Sequence, residues 1–303
     1  GLEPVEYPTT RQLGASAEAR AADLTATFAD PSIRAVLATI GGDDQITVLP
    51  LLDPEVFVAN PKPFFGYSDN TNLLNWLWYR GIASYHGGST MVHLGRPGGL
   101  HPTSTESLRA ALFTGRDLEI RPVEEFSEDE ADWAEAPPHE GQVLTQPGGE
   151  WGWYNASQVV TGPTWGGNLE ILHWNLAVGR WIRPVEDYEG CVLLLETSEE
   201  MPTAREVFRI LRNAGERGLL AQFPAVIIGR PKATSLAHPT SQEERRGFRE
   251  DQRDAVLRAF DRYAPNAMVV FGVDIGHTDP QYVLPYGGLV TIDGQKRCIT
   301  AHY

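Results

Sequence analysis

A serine placed between a predicted strand and a predicted helix is the first residue in this sequence that could do chemistry. Residues 63–67 form a short apolar run that predicts a strand, and residues 70–79 predict a helix rich in Leu and Trp. Ser68 therefore stands on a strand-to-helix turn, where hydrolases expose a nucleophilic hydroxyl and where the helix N-terminus can stabilise an oxyanion. The motif is Gly-Tyr-Ser-Asp-Asn, not Gly-x-Ser-x-Gly. Asp69 or Asn70 would be the N-cap of this helix, and a serine that only caps the helix is the alternative.

A nucleophilic serine needs a histidine base, and the base needs an acid that orients it. Among eight histidines, His277 is favoured because its turn-rich loop directly follows an apolar run at 267–273, where sites of α/β proteins usually lie. His86, followed by two glycines, has similar placement and is the main alternative. Glu196 ends the apolar strand predicted at 191–196. A half-buried carboxylate there needs a partner, which a histidine would supply, although a solvent-facing charge is the alternative.

The Gly41-Gly42 pair follows a predicted strand at 34–40 and offers sterically open backbone N–H groups. These groups suit an oxyanion hole or simply a tight turn.

The sequence contains no His-Glu-x-x-His motif, no cysteine cluster, no Gly-x-Gly-x-x-Gly motif after a strand and no P-loop. We therefore expect neither a metal nor a nucleotide cofactor.

The chain has 303 residues and a formal charge of −15, from 40 acidic and 25 basic side chains. This acidic excess argues against a nucleic acid polymer or an anionic membrane surface as a partner. No segment approaches about 18 consecutive apolar residues, so no transmembrane helix is predicted. Two cysteines, Cys191 and Cys298, cannot form a disulfide scaffold and are expected to be buried thiols in a reducing cytosol. The protein is therefore expected to be cytoplasmic.

Strand and helix patterns alternate along much of the chain, which predicts βαβ units and a parallel sheet. Helices are predicted at 16–30, 45–52, 70–79, 203–216 and 241–263, and further strands at 225–229 and 267–273. Near the C-terminus, Asp293-Gly294 between alternating runs predicts a hairpin with a type I′ turn. Residues 124–146 are acidic and weakly periodic, which favours either an interdomain loop or a solvated insertion.

Six segments, in chain order, resemble the LD-carboxypeptidase family of serine peptidases: RAVLATIGGDD, LPLLD, NPKPFFGYSDNTNLL, GGNLEIL, CVLLLETSEEMP and VDIGHTDPQYVLPYGGLVTID. The acidic loop is more similar to the branch containing microcin C immunity peptidases than to the branch that trims murein tetrapeptides. The resemblance implies an N-terminal Rossmann-like parallel α/β domain at 1–123, without the family's first strand and helix. It also implies a substrate loop at 124–163 and a β-rich C-terminal α/β domain at 164–303.

Carried over by motif, the resemblance implies Ser68 as nucleophile, Glu196 as orienting acid and His277 as general base. The backbone N–H groups of Gly42 and Asp69 would be the oxyanion donors. The implied reaction is metal-independent hydrolysis of an amide through an acyl-enzyme. Family members are commonly homodimers, so a homodimer without a cofactor is expected.

Two substrate classes follow from the two branches of the family. In the microcin-immunity branch the amide joins an aminoacyl group to a nucleotide, and a loop aromatic stacks on the base. Trp133, Trp151 and Trp153 are candidates, although each could simply cover the domain junction. A murein tetrapeptide would instead need a cation for its terminal carboxylate, and no Lys or Arg lies between Pro122 and Gly179. This favours the nucleotide conjugate. A non-catalytic protein that binds a small ligand is the alternative of another class.

Overall fold

The computed structural model describes residues 1–128 and 143–303. Its α-helices, α1 to α7 in chain order, are Ala17–Ala29, Pro54–Ala59, Thr71–Tyr79, Pro102–Arg109, Leu169–Val178, Ala204–Glu216 and Gln242–Tyr263. Its strands, β1 to β14, are Val36–Leu37, Phe64–Gly66, Ser84–His86, Leu118–Ile120, Glu125–Phe126, Gln146–Pro147, Gly152–Tyr154, Val159–Asn168, Val192–Glu196, Ala225–Gly229, Met268–Val273, Leu284–Tyr286, Leu289–Asp293 and Cys298–Ala301. Short 3₁₀ and π turns lie between these elements.

The smaller of the two main sheets has the strand order β1-β2-β3-β12. The first three strands are parallel, as the alternating pattern predicts, and β12 is antiparallel to β3. The predicted strand at 34–40 is reduced to the two residues Val36–Leu37 at the edge of this sheet. The carboxyl end of β2 leads directly into the turn that carries Ser68.

The larger sheet has eight strands in the order β4-β14-β13-β8-β9-β10-β11-β7. Strands β8 to β11 are parallel, whereas the remaining pairs are antiparallel. Strand β8 joins the antiparallel part of this sheet to the parallel part, because its first half pairs with β13 and its second half with β9. The mixed α/β fold class predicted from the sequence is confirmed.

Strand β9 shows why its sequence reads as a continuous apolar run. Leu193 and Leu195 belong to the larger hydrophobic cluster with helices α3, α5, α6 and α7. Val192 and Leu194 face a second cluster on the other side of the sheet. Both faces of a parallel strand are therefore buried, which removes the polar alternation of a half-exposed strand. Glu196 ends the run at the carboxyl edge of the sheet.

Helix α3 is tied to the larger sheet by buried hydrogen bonds. The indole N–H of Trp165 on β8 donates to Oδ1 of Asn75 at 2.8 Å. The side-chain amide of Asn175 on α5 donates to Oδ1 of Asn72 at 3.1 Å. These buried hydrogen bonds favour one arrangement, since losing either would leave further buried polar atoms unpaired. These contacts place the start of α3, and with it Ser68, beside the carboxyl ends of β8 and β9.

Two local predictions are wrong. The hairpin does not turn at Asp293-Gly294, because Asp293 pairs with Cys298 and leaves a loop of four residues, 294–297. The Asp293 side chain accepts the backbone N–H of Lys296 at 2.9 Å, and the left-handed φ of 52° falls on Arg297. Residues 45–52 form two 3₁₀ turns, Gln45–Thr47 and Leu49–Leu51, rather than one helix.

None of the helices within residues 1–128 and 143–303 is long and apolar enough to cross a membrane. Both cysteines are free. Cys191 is buried as predicted, and burial raises the pKa of its thiol. Cys298 is only partly buried.

Candidate active site

The turn that carries Ser68 is strained. Ser68 has a φ of 61°, in the left-handed region. That conformation costs an L-residue roughly 1–2 kcal/mol, so the surrounding structure must impose it. Gly41 lies against the serine, because a Cβ at that position would be 3.0 Å from Ser68 Oγ. A left-handed serine between a strand and a helix is the geometry of a nucleophile elbow.

Hydrogen bonds with Gln45 hold the residues that follow Ser68 in place. Its backbone N–H donates to Oδ2 of Asp69 at 2.9 Å, and its side-chain amide donates to Oδ1 of Asn70 at 2.8 Å. Its Oε1 accepts the backbone N–H of Leu73 at 3.0 Å. Asn70 is the N-cap residue of α3, as predicted, but its side chain does not cap the helix, and Gln45 satisfies this donor of the first turn instead. Sequence reasoning missed Gln45, since nothing local links it to a turn more than 20 residues away.

Glu196 and His277 form a buried pair at the carboxyl edge of the larger sheet. Oε2 of Glu196 lies 2.6 Å from Nδ1 of His277, and Glu196 is 2% exposed. The loop of His277 can approach this closely because Gly276 has a φ of 85° and no side chain. A Cβ on Gly276 would be 2.7 Å from both Cβ and Oε2 of Glu196. The contact requires glycine at this position.

The pair is electrostatically coupled. Burial raises the pKa of Glu196, but the charge and the hydrogen bond of His277 outweigh it, and the net pKa is lowered. Burial lowers the pKa of His277, but the carboxylates around it, Glu196 first, outweigh that effect and the net pKa is raised. The two shifts agree in favouring a carboxylate and an imidazolium. Such a carboxylate can hold a histidine in one orientation and stabilise its charge.

Tyr67, the residue before Ser68, contacts the histidine. Its ring packs edge-on against the ring of His277, with 4.9 Å between the ring centroids. Ser68, the next residue, makes no hydrogen bond to His277 in the part of the chain that the structure describes. The second ring nitrogen, Nε2, instead lies 3.3 Å from Oε2 of Glu199. Sequence reasoning missed Glu199, although it stands only three residues after Glu196.

His86, the alternative base, also lies at this site but faces the other oxygen of the acid. Its Nε2 is 4.0 Å from Oε1 of Glu196, which is longer than a hydrogen bond. Neither ring nitrogen has a hydrogen-bond partner among the residues described. Burial lowers the pKa of His86 to about 4, so it is neutral at physiological pH. The direct contact with the acid belongs to His277.

The two backbone donors predicted for an oxyanion hole lie close together. A Cβ on Gly42 would be 3.2 Å from Oδ2 of Asp69. Neither the N–H of Gly42 nor that of Asp69 donates a hydrogen bond within residues 1–128 and 143–303. In the same ranges no group of three or more His, Cys, Asp or Glu residues is arranged to hold a metal ion.

The loop that carries His277 is anchored by a buried aspartate. Oδ1 of Asp274 accepts a hydrogen bond from Arg230 at 2.8 Å, and Oδ2 accepts one from the indole N–H of Trp151 at 3.0 Å. Trp151 is 4% exposed, so its ring presents little surface to a ligand. Trp153 is partly buried on β7, 6.4 Å from Trp151 between ring centroids. Trp133 lies outside the described residues.

We expect Trp151→Phe to destabilise the protein by about 1–3 kcal/mol, because it removes a donor from a fully buried carboxylate. Denaturant unfolding measures the change. Trp174→Phe is the matched control, since Trp174 is exposed on α5, and it should stay within about 0.5 kcal/mol of the parent. Equal stabilities for the two variants would contradict an anchoring role for the Trp151–Asp274 hydrogen bond.

In a comparison with known protein families, two domain models of one family match the N-terminal and the C-terminal part of the chain. The model of the LD-carboxypeptidase N-terminal domain matches residues 1–87. The model of the LD-carboxypeptidase C-terminal domain matches residues 161–292. The two matches include Ser68 in the first and Glu196 and His277 in the second.

Three similar proteins cover most of the chain. A putative carboxypeptidase of Treponema pallidum is 29% identical over 94% of this chain and 77% of its own length. The microcin C7 self-immunity protein MccF of Escherichia coli is 25% identical over 93% of this chain and 77% of its own. Its solved complex with aspartyl sulfamoyl adenosine has a TM-score of 0.77, at 23% identity over 95% and 82% of the two chains. An MccF-like protein of Streptococcus pneumoniae, solved with AMP, has a TM-score of 0.80, at 27% identity over 94% and 83%.

Proposed function

Because the chain belongs to the LD-carboxypeptidase family, we propose that it is a metal-independent serine peptidase or amidase that uses Ser68, Glu196 and His277. The observation that carries this proposal is the buried 2.6 Å contact between Glu196 and His277. The proposal is further supported by Ser68, which is held in the left-handed region after a strand, and by its neighbour Tyr67, which packs against His277. The three residues have the types and the order of partners that nucleophilic acyl transfer requires.

In the proposed mechanism, Nε2 of His277 takes the proton of Ser68 as its Oγ attacks an amide carbonyl. The oxygen of the tetrahedral intermediate is stabilised by the N–H groups of Gly42 and Asp69, each worth about 3–4 kcal/mol in comparable sites. His277 then donates the proton to the leaving nitrogen. Water, deprotonated by the same histidine, hydrolyses the acyl-enzyme and restores the serine. Glu196 orients the ring and stabilises its positive charge.

We propose an aminoacyl-nucleotide conjugate as the substrate. Similar proteins are solved with AMP and with an aminoacyl sulfamoyl adenosine. A tetrapeptide with a free terminal carboxylate would need a cation, and Arg96, which contacts the loop of His277, is already paired with Asp279 at 2.6 Å. Of the three tryptophans considered for base stacking, Trp153 keeps partial exposure within the described residues. We propose it as the candidate to test first.

A substrate panel tests the proposal directly. With EDTA present, we expect the protein to release the amino acid from an aminoacyl sulfamoyl adenosine and to act on a murein tetrapeptide at least about tenfold more slowly, a difference of about 1.4 kcal/mol in transition-state stabilisation. Mass spectrometry of the products measures both reactions. Trimming of the tetrapeptide with the conjugate left intact would assign the murein activity instead. No hydrolysis of either would favour a non-catalytic ligand-binding protein.

A further inference from the structure

His277 is in contact with two carboxylates, one at each ring nitrogen. Nδ1 lies 2.6 Å from Oε2 of Glu196, and Nε2 lies 3.3 Å from Oε2 of Glu199. An ionised carboxylate can only accept hydrogen bonds. The Nδ1 contact is a hydrogen bond and the Nε2 contact is at ion-pair distance, and an imidazolium, with a proton on both ring nitrogens, is the form of the ring that satisfies both carboxylates. A base in that state cannot take the proton of Ser68.

Glu199 is placed to leave this contact easily. It lies in the segment between β9 and α6, and its side chain is 51% exposed, whereas the side chain of Glu196 is 1% exposed. An exposed ion pair contributes little to stability, so breaking it costs little. Glu196 is thus the permanent partner of the histidine and Glu199 an exchangeable one.

We propose that Glu199 is a positioning residue that holds the base in a protonated resting state and occupies the nitrogen that must face Ser68. Substrate binding would displace Glu199. Nε2 of His277 would then release its proton to solvent, and the neutral ring could act as the general base. This inference rests on the proposed function. It adds a residue that sets the pH dependence of that function by acting on His277 in the resting state, and that has left the ring before the reaction begins.

Several charged or titratable groups face His277, and their effects have to be separated. Glu196 on β9, Glu199 in the following loop and Glu170 on α5 all raise its pKa, while burial lowers it. His86 on β3 is close to neutral at physiological pH, and Tyr67, which follows β2, keeps its proton because burial raises its pKa. Glu199 is the exposed member of the three carboxylates. It can be changed without disturbing the buried ones.

The test compares Glu199→Gln with Glu200→Gln, which removes the same charge one residue further along the chain. NMR titration of the His277 ring, in a Ser68→Ala background, should show a lower pKa for Glu199→Gln and an unchanged pKa for Glu200→Gln. With Ser68 present, Glu199→Gln should also shift the acid limb of the pH profile of kcat/KM to lower pH. Its kcat/KM at pH values below the parent's limb should therefore rise by about two- to fivefold.

Two results would overturn the proposal: an unchanged His277 pKa in Glu199→Gln, or equal shifts in both variants. Because the NMR titration needs no turnover, it decides the role of this contact even if the substrate panel shows no hydrolysis. A failure of Glu199 as positioning residue and a failure of the proposed reaction are therefore distinguishable.

Discussion

Ser68→Ala should abolish hydrolysis, lowering kcat by about four to six orders of magnitude, because it removes the proposed nucleophile that forms the acyl-enzyme. His277→Ala should cause a loss of similar size, since members of one catalytic unit fail together rather than additively. Steady-state assays on the aminoacyl sulfamoyl adenosine measure both. Full activity in both variants would exclude these residues from the reaction.

The backbone of Ser68 provides a control that separates catalysis from folding. Both Ser68→Ala and Ser68→Gly remove the nucleophile, but glycine adopts a φ of 61° without strain. We therefore expect both variants to be inactive and Ser68→Gly to be more stable than Ser68→Ala by about 1 kcal/mol. Ser157→Ala, at an exposed serine, should keep full activity and stability. An unfolded Ser68→Ala protein that Ser68→Gly does not rescue would mean that the hydroxyl supports the fold.

The fold class could be predicted because its signals are local. The apolar run at β9 is continuous because helices cover one face of the strand and a second cluster covers the other. A continuous apolar run that is too short for a helix is typical of a buried parallel strand. The pairing of β12 with β3 joins residues about 200 positions apart. No local pattern encodes that partner. The hairpin of β13 and β14 was predicted correctly, but its two-residue turn at Asp293-Gly294 was wrong. Its turn depends on which residues pair across it.

The candidate site could be predicted in part, because each of its residues directly follows or ends an apolar strand. Glu196 and His277 occupy such positions at the carboxyl edge of the larger sheet, whereas Ser68 follows β2 of the smaller sheet, so strand position alone groups only the first two. Their catalytic roles stay predictions. Gln45 and Glu199 could not be found in this way, since their contacts arise from how loops fold over that edge. The short run Ser198-Glu199-Glu200 reads in sequence as an ordinary solvated turn.

Trp151 shows the limit of composition as a guide to binding. Tryptophans near a predicted substrate loop suggest stacking, but an indole also buries a large apolar surface and needs one acceptor when buried. Asp274 is that acceptor, and its position directly precedes the loop of the candidate base. The residue chosen for ligand contact therefore supports the loop of His277 instead.

Glu196→Gln should lower kcat by on the order of 10⁴, because an amide can present its NH₂ group to the ring and favour the wrong tautomer. It should also change how stability depends on pH. The carboxyl's pKa is lowered from its ordinary 4.5, so its contribution is present above pH 4.5 and is lost as pH falls through the folded value. The pKa of His277 is raised from 6.5, so its contribution is present below pH 6.5 and is lost as pH rises through the folded value.

The difference in unfolding free energy between the parent protein and Glu196→Gln should therefore be largest between pH 4.5 and 6.5 and shrink on either side. Denaturant unfolding across that range measures it. Burial lowers the pKa of His86 to about 4 and Glu196 opposes this, so the part of the difference that comes from His86 falls at the acid end, near pH 4. Glu243→Gln, at an exposed position in the first turn of α7, should show a flat difference. A flat difference for Glu196→Gln as well would mean that the Glu196–His277 contact carries no net charge interaction, and the orienting role would then rest on geometry alone.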